Sequence, residues 1–155
     1  MEIRKKVDTI LGTTLSLIMG IMVINVLWQV FTRFVIGTPS SFTDELARYL
    51  MIWVGVLGAA YISGKRMHVA IDLIPQKLSE ANQVKLKVFV NILVILFCFG
   101  ALIVGGIRLV YITYSLEQYS AALQIPLALV YLVIPISGAL IIFYKVSDII
   151  NKQLL

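Results

Sequence analysis

The sequence predicts an all-α integral membrane protein of four transmembrane helices, with both termini cytoplasmic and an interfacial cytoplasmic segment between helices two and three. Three observations lead there. Of 155 residues, 60% are hydrophobic and 14% charged, against about 45–50% and about 25% in an ordinary soluble domain. Four charge-free runs are long enough, alone or with their flanks, to cross a hydrocarbon core of about 30 Å, which takes about 20 helical residues. Finally, the 13 Lys and Arg residues divide unequally between the two faces that four crossings define.

The first span, expected over 9–34, rests on the uncharged run from Thr9 to Thr32 between Asp8 and Arg33. Arg4, Lys5 and Lys6 ahead of it imitate a secretory signal, but the run exceeds an h-region of about 7–15 residues and no A-x-A cleavage site follows, so a retained signal anchor is expected. Asn25 and Gln29 toward its far end suit hydrogen bonds between helices. Trp28, Phe31 and Phe34 suit an aromatic belt at the outer interface. The turn formers Gly37-Thr38-Pro39-Ser40-Ser41 then break the helix. The second uncharged run, Tyr49 to Gly64, is short for a crossing. Ser41 followed by Asp44 resembles a capping box, and it places Asp44 and Glu45 in a first turn whose dipole favours acids. A second span over 42–64 follows, with Asp44 and Arg48 as i,i+4 partners and Arg33 in reach of the same rim cluster. Gly55 with Ala59, and Ala60 with Gly64, form small-xxx-small pairs suited to close helix packing.

From Lys65 to Lys87, Met67, Val69, Ile71, Leu73, Ile74 and Leu78 alternate with charges, which predicts a segment in the interface plane with lysines at anionic headgroups. The third span, 88–113, is built on the uncharged run Val88 to Ile107, carries Gly100, Gly105 and Gly106, and ends with Arg108 able to snorkel to the interface. Tyr111, Tyr114 and Tyr119 continue as an interfacial stretch. The fourth span, 126–144, is expected to open on Pro126, since a proline is tolerated at the first helical position. Pro135 lies inside it and should kink it unless a neighbour satisfies the freed carbonyl. No repeat or second domain is visible, so residues 1–155 are taken as one membrane domain.

With four crossings, ten basic residues share one side and three, Arg33, Arg48 and Arg108, the other. The positive-inside rule puts both termini in the cytoplasm. The net charge of +5 thus serves topology, and no nucleic-acid partner is expected. Cys98, the lone cysteine, permits neither an internal disulfide nor a CxxC pair. The one histidine, His68, cannot supply the paired axial imidazoles of a haem subunit. There is no Gly-rich phosphate loop, HExxH, GxSxG or intramembrane carboxylate pair, so no catalysis and no cofactor are expected. Ionisable residues gather at the span ends, whereas ion and proton paths mark themselves with charges at mid-depth. A scaffold or accessory subunit fits best. The alternatives are an autonomous small oligomeric transporter or channel, associating through its glycine faces, and the membrane anchor of a respiratory enzyme.

Arg33, Gly37, Pro39, Phe42, Glu45, Arg48, Trp53, Gly58, Ala59, His68 and Asp72 occur in an ordered set. The set includes Arg-Phe-Val-Ile-Gly, Phe-Thr-Asp-Glu-Leu-Ala-Arg, Trp-Val-Gly-Val-Leu-Gly-Ala-Ala and His-Val-Ala-Ile-Asp. This stretch, about residues 28–74, resembles the small membrane subunit of TRAP transporters, the DctQ-like family. Phe42 stands where that family often has Trp, which keeps an aromatic anchor. The resemblance implies two protein partners: a large membrane subunit of about a dozen helices holding substrate and sodium sites, and a periplasmic binding protein delivering an organic acid such as a C4-dicarboxylate or sialic acid. It implies residence in the bacterial inner membrane, contact with membrane lipids, and uptake driven by an ion gradient. Interface or structural roles are expected for Arg33, Asp44, Glu45, Arg48, Trp53 and Gly58, and for His68 with Asp72 as an i,i+4 pair.

Overall fold

A computed structural model of the chain describes residues 2–38, 40–65 and 80–150. Within them, four helices are long and apolar enough to cross a membrane: Glu2–Ile36, Ser41–Lys65, Asn82–Ser115 and Leu127–Ile150. Of the expected interfacial segment Lys65 to Lys87, residues 66–79 lie outside the described residues, as do His68, Asp72 and Pro39, and its last part, from Glu80, is already helical and leads into the third span.

The first three helices run past their expected bounds at both ends, and the fourth starts one residue later than expected and ends beyond its bound. The first already includes Arg4, because that side chain has partners at the membrane boundary. At its far end the backbone loosens into a π-helical turn, Thr32–Ile36, and stops at Gly37, whose φ of 77° is left-handed. That conformation is free of steric cost only in glycine. The second helix is capped one residue earlier than the capping-box spacing suggested. Ser40, and not Ser41, accepts the Thr43 N–H on its Oγ at 3.4 Å and the Asp44 N–H on its carbonyl at 3.3 Å. The fourth span starts at Leu127, with Pro126 as its extended N-cap.

Both internal irregularities lie where helices touch. In the third span Cys98–Val104 is π-helical, a widened turn of the kind that marks contact or functional positions. The fourth span pauses at Leu132, between helical segments Leu127–Tyr131 and Val133–Ile150. Pro135 explains the pause, since it lacks an N–H and crowds the preceding turn. The missing N–H frees the Tyr131 carbonyl; one residue before it, the Trp53 indole N–H donates to the Val130 carbonyl at 3.1 Å and ties span two to the break.

The helices form an open layer in the order one, two, four, three. The principal neighbours are one with two, two with four, and four with three. Leu11, Leu57, Val133 and Tyr144 join spans one, two and four in one buried cluster. Ala60, Cys98 and Ile141 join spans two, three and four in another. Lipid gives apolar helices no reason to associate, so close approach and hydrogen bonds must hold them. A Cβ added to Gly64 would meet the Tyr144 ring at 2.7 Å, one on Gly106 would meet Pro135 Cδ at 2.9 Å, and one on Gly138 would meet Leu102 Cβ at 2.7 Å. Of the two small pairs in span two, Ala60 and Gly64 therefore pack inward. Gly55 and Gly58 meet nothing within 4 Å, so the chain's own helices do not use them.

Candidate functional site

One end of the layer carries a polar rim built on the first turns of span two. Asn25, buried in span one, donates from Nδ2 to the Thr43 carbonyl at 2.7 Å. Gln29, one turn on, donates from Nε2 to Asp44 Oδ1 at 3.1 Å. Such bonds between helices are typically worth about 0.6 kcal/mol, up to about 1.7. Both side chains thus tie span one to span two. Asp44 also pairs with Arg48, in the i,i+4 geometry expected, but the two side chains are 47% and 73% exposed. Arg33 is exposed and acts on Asp44 only through space.

Glu45 does something the sequence did not announce. Its carboxylate accepts three successive backbone N–H groups from the connection between spans three and four: Ala121 at 3.1 Å, Ala122 at 2.7 Å and Leu123 at 3.0 Å. Tyr49, one turn along the same helix, donates its hydroxyl to Oε1 at 3.0 Å. Successive N–H groups converging on one point form an anion-binding nest. Here the anion is the chain's own side chain. The connection is shaped for it by a turn in which the Gln124 N–H donates to the Ser120 carbonyl at 3.1 Å and the Ser120 N–H to the Ile125 carbonyl at 2.9 Å. Within the rim the four charged residues differ in what they touch. Asp44 with Arg48 is a surface pair, Glu45 is a loop anchor, and Arg33 acts on Asp44 through space without touching it.

The opposite end holds a second constellation, which sequence reasoning treated only as topogenic charge. Arg4 donates from Nη1 to Asp148 Oδ1 and from Nη2 to the Gly64 carbonyl, both at 2.6 Å. Its guanidinium also lies 5.4 Å from the centroid of the Tyr144 ring, within cation–π range. Tyr144 is wholly buried and donates its hydroxyl to Asp8 Oδ1 at 2.6 Å. One arginine thus clasps spans one, two and four. The signal was available: Arg4 with Asp8, and Tyr144 with Asp148, are each i,i+4 pairs, and both acids stand on the face otherwise rich in Lys and Arg.

Of the remaining expected site residues, Trp53 is placed as the donor to the broken fourth span, and Gly58 lies open. His68 and Asp72 are outside the described residues. The two polar ends do mechanical work, holding helices and a loop in register.

Residues 22–154 match the family described as tripartite ATP-independent periplasmic transporters, DctQ component. The chain is 27% identical to a candidate TRAP transporter small permease protein of Haemophilus influenzae, over 86% of this chain and 81% of that protein. It is 30% identical to the sialic acid TRAP transporter small permease protein SiaQ of Vibrio cholerae, over 80% of this chain and 70% of the relative. A third similarity, 33% identity over 70% of this chain, is to the sialic acid TRAP transporter permease protein SiaT of Haemophilus influenzae and covers 17% of that larger protein.

Proposed function

Because the chain belongs to the DctQ component family of TRAP transporters, and is thus a multi-pass membrane component of a transporter and not an enzyme, we propose that it is the scaffold for a larger membrane subunit. In this reading the large subunit, in the bacterial inner membrane, carries an organic acid inward on a sodium gradient after a periplasmic binding protein delivers it. The observation that carries the reading is the match over 22–154, which takes in spans two, three and four and the far part of span one. The geometry supports it, since the hydrogen bonds of Asn25, Trp53 and Ser137 all run from one span to another. The similarity to a short part of a larger permease supports a large membrane partner. The two relatives named for sialic acid favour that substrate over a C4-dicarboxylate.

By the positive-inside rule the Arg4 clasp is cytoplasmic and the Glu45 rim periplasmic. Arg33 and Arg48 then present guanidinium groups on the side where a binding protein would dock. To test the assignment, the chain is co-expressed with the large membrane protein encoded beside it and purified through a tag on this chain alone. A one-to-one complex that takes up labelled sialic acid in proteoliposomes, given binding protein and a sodium gradient, is expected. A chain that purifies alone or only with copies of itself would overturn the scaffold reading. Charge reversal at Arg33 and Arg48 together is expected to lower uptake while the membrane complex stays intact.

A further inference from the structure

Two of the arginines on the rim side of the layer, Arg48 and Arg108, differ in depth, tilt and company. Ser137 Oγ donates to the Val56 carbonyl at 2.7 Å, and a Cβ on Gly106 would meet Pro135 Cδ at 2.9 Å. Counting residues from these two contacts puts Arg108 of span three level with about Ile52 of span two, one turn or about 6 Å deeper than Arg48. The helix continues past Arg108 to Ser115. Every Cα–Cβ bond of a helix leans toward the helix N-terminus. Span two begins at the rim, so Arg48 leans outward to the headgroups; span three ends there, so Arg108 leans back toward the middle of the bilayer. The snorkelling expected of Arg108 would run against that lean. Arg48 also has Asp44 beside it, whereas among the described residues no hydrogen bond or ion pair reaches Arg108.

Gly106 packs on span four, and Arg108, two positions on, is turned from it by about 200°. Span three is the last helix of the layer, so that direction is the layer's outer edge. Ala101, Val104, Gly105 and Tyr111 lie three, four or seven positions from Arg108, share its side of the helix and are exposed with it. A charged side chain at membrane depth is costly unless an anion meets it there. We propose that this outer edge of span three docks against the large membrane subunit, and that a carboxylate on one of that subunit's transmembrane helices accepts from the Arg108 guanidinium. Depth and charge together select this occupant. Acyl chains bring no anion to that level, and lipid phosphates lie at the interface, on the side from which the side chain leans away. A partner helix also fits the surroundings, because a Cβ on Gly105 would meet no other helix within 4 Å, and small residues let helices approach closely. The inference rests on the scaffold reading given above.

The chain is co-expressed with the large membrane subunit and purified through a tag on this chain, as wild type, Arg108→Gln and Arg108→Lys, and release of the large subunit is timed after dilution in mild detergent. Arg108→Gln is expected to speed release at least about thirtyfold, since it strands a buried carboxylate, and Arg108→Lys, which keeps the charge, to recover much of that loss. The isolated Arg108→Gln chain should melt no lower than wild type, because the guanidinium touches nothing in its own chain. The photocrosslinker p-benzoylphenylalanine at Tyr111 is expected to label a large-subunit helix that carries Asp or Glu. Release of the Gln variant at the wild-type rate overturns the proposal, and crosslinks to phospholipid alone would then assign Arg108 to headgroups. A Lys variant no better than Gln overturns the charge pairing, and a lowered melting temperature of the isolated Gln variant shows that Arg108 serves the chain's own fold instead. A wild-type chain that brings no large subunit with it overturns the scaffold reading itself, and this proposal with it.

Discussion

A carboxylate has two oxygens and about four lone-pair sites, and Glu45 fills them with three backbone N–H groups and a tyrosine hydroxyl. Glutamine at that position keeps the shape but offers one acceptor oxygen and adds donors that face donors. Glu45→Gln is therefore expected to accelerate hydrogen exchange at Ala121, Ala122 and Leu123 by at least about tenfold, as charge-assisted bonds are lost. Asp44→Asn should leave those three amides unchanged; equal acceleration in both variants would deny Glu45 its anchoring role. Trp53→Phe keeps an aromatic ring but removes the N–H that reaches the Val130 carbonyl together with part of the packed volume, so a destabilisation of about 1 kcal/mol or more is expected in a denaturation titration. Both residues stood out in the sequence, but their partners did not. Glu45 lies 76 to 78 positions from the amides it holds, and backbone amides carry no residue signature. Trp53 answers to a broken helix that Pro135 announced, yet nothing in the sequence says which side chain reaches it.

Helix ends and helix contacts obey rules of their own. The third span ends in a Schellman turn, with the Gln118 N–H on the Thr113 carbonyl and the Glu117 N–H on the Tyr114 carbonyl, both at 3.0 Å. The left-handed position is held by Glu117 at φ 49°, where a side chain costs roughly 1–2 kcal/mol. Glu117→Gly is expected to raise the melting temperature slightly, since relief of that strain outweighs the added freedom of glycine in the unfolded chain. A lower melting temperature would mean the Glu117 side chain has a stabilising role of its own. The glycines of the contacts sort in the same way. Gly138→Ala should destabilise, because its Cβ meets Leu102 at 2.7 Å, whereas Gly55→Ala, with open space above it, should slightly raise the thermal stability of the isolated chain, since alanine loses less freedom on folding. The four spans were legible from hydropathy and charge, because lipid imposes a length and a polarity on every crossing. Which glycine packs was not legible. That depends on helix rotation, and the small residues of span two occur on both its inward and its open face.

At the scale of the molecule the Arg4–Asp148 and Asp44–Arg48 pairs separate a brace from an ornament. Arg4 and Asp148 are 16% and 5% exposed, so Asp148→Ala leaves a guanidinium short of its partner in a dry setting, at a cost of about 3 kcal/mol or more. Arg48→Ala, at the exposed rim, should have much the smaller effect on the same unfolding curve. Equal losses would show that the clasp is solvated in the membrane. The order one, two, four, three was beyond sequence reasoning because hydropathy reports that a helix crosses, not which helix it crosses beside. That order has a bearing on biogenesis. Spans one and two can pair as soon as both have left the ribosome, but span three enters the bilayer before its chief neighbour has been synthesised, and it must wait unpaired for span four. The last helix made is thus the keystone, and a chain halted before Leu127 would leave its third span as bare prey for membrane quality control.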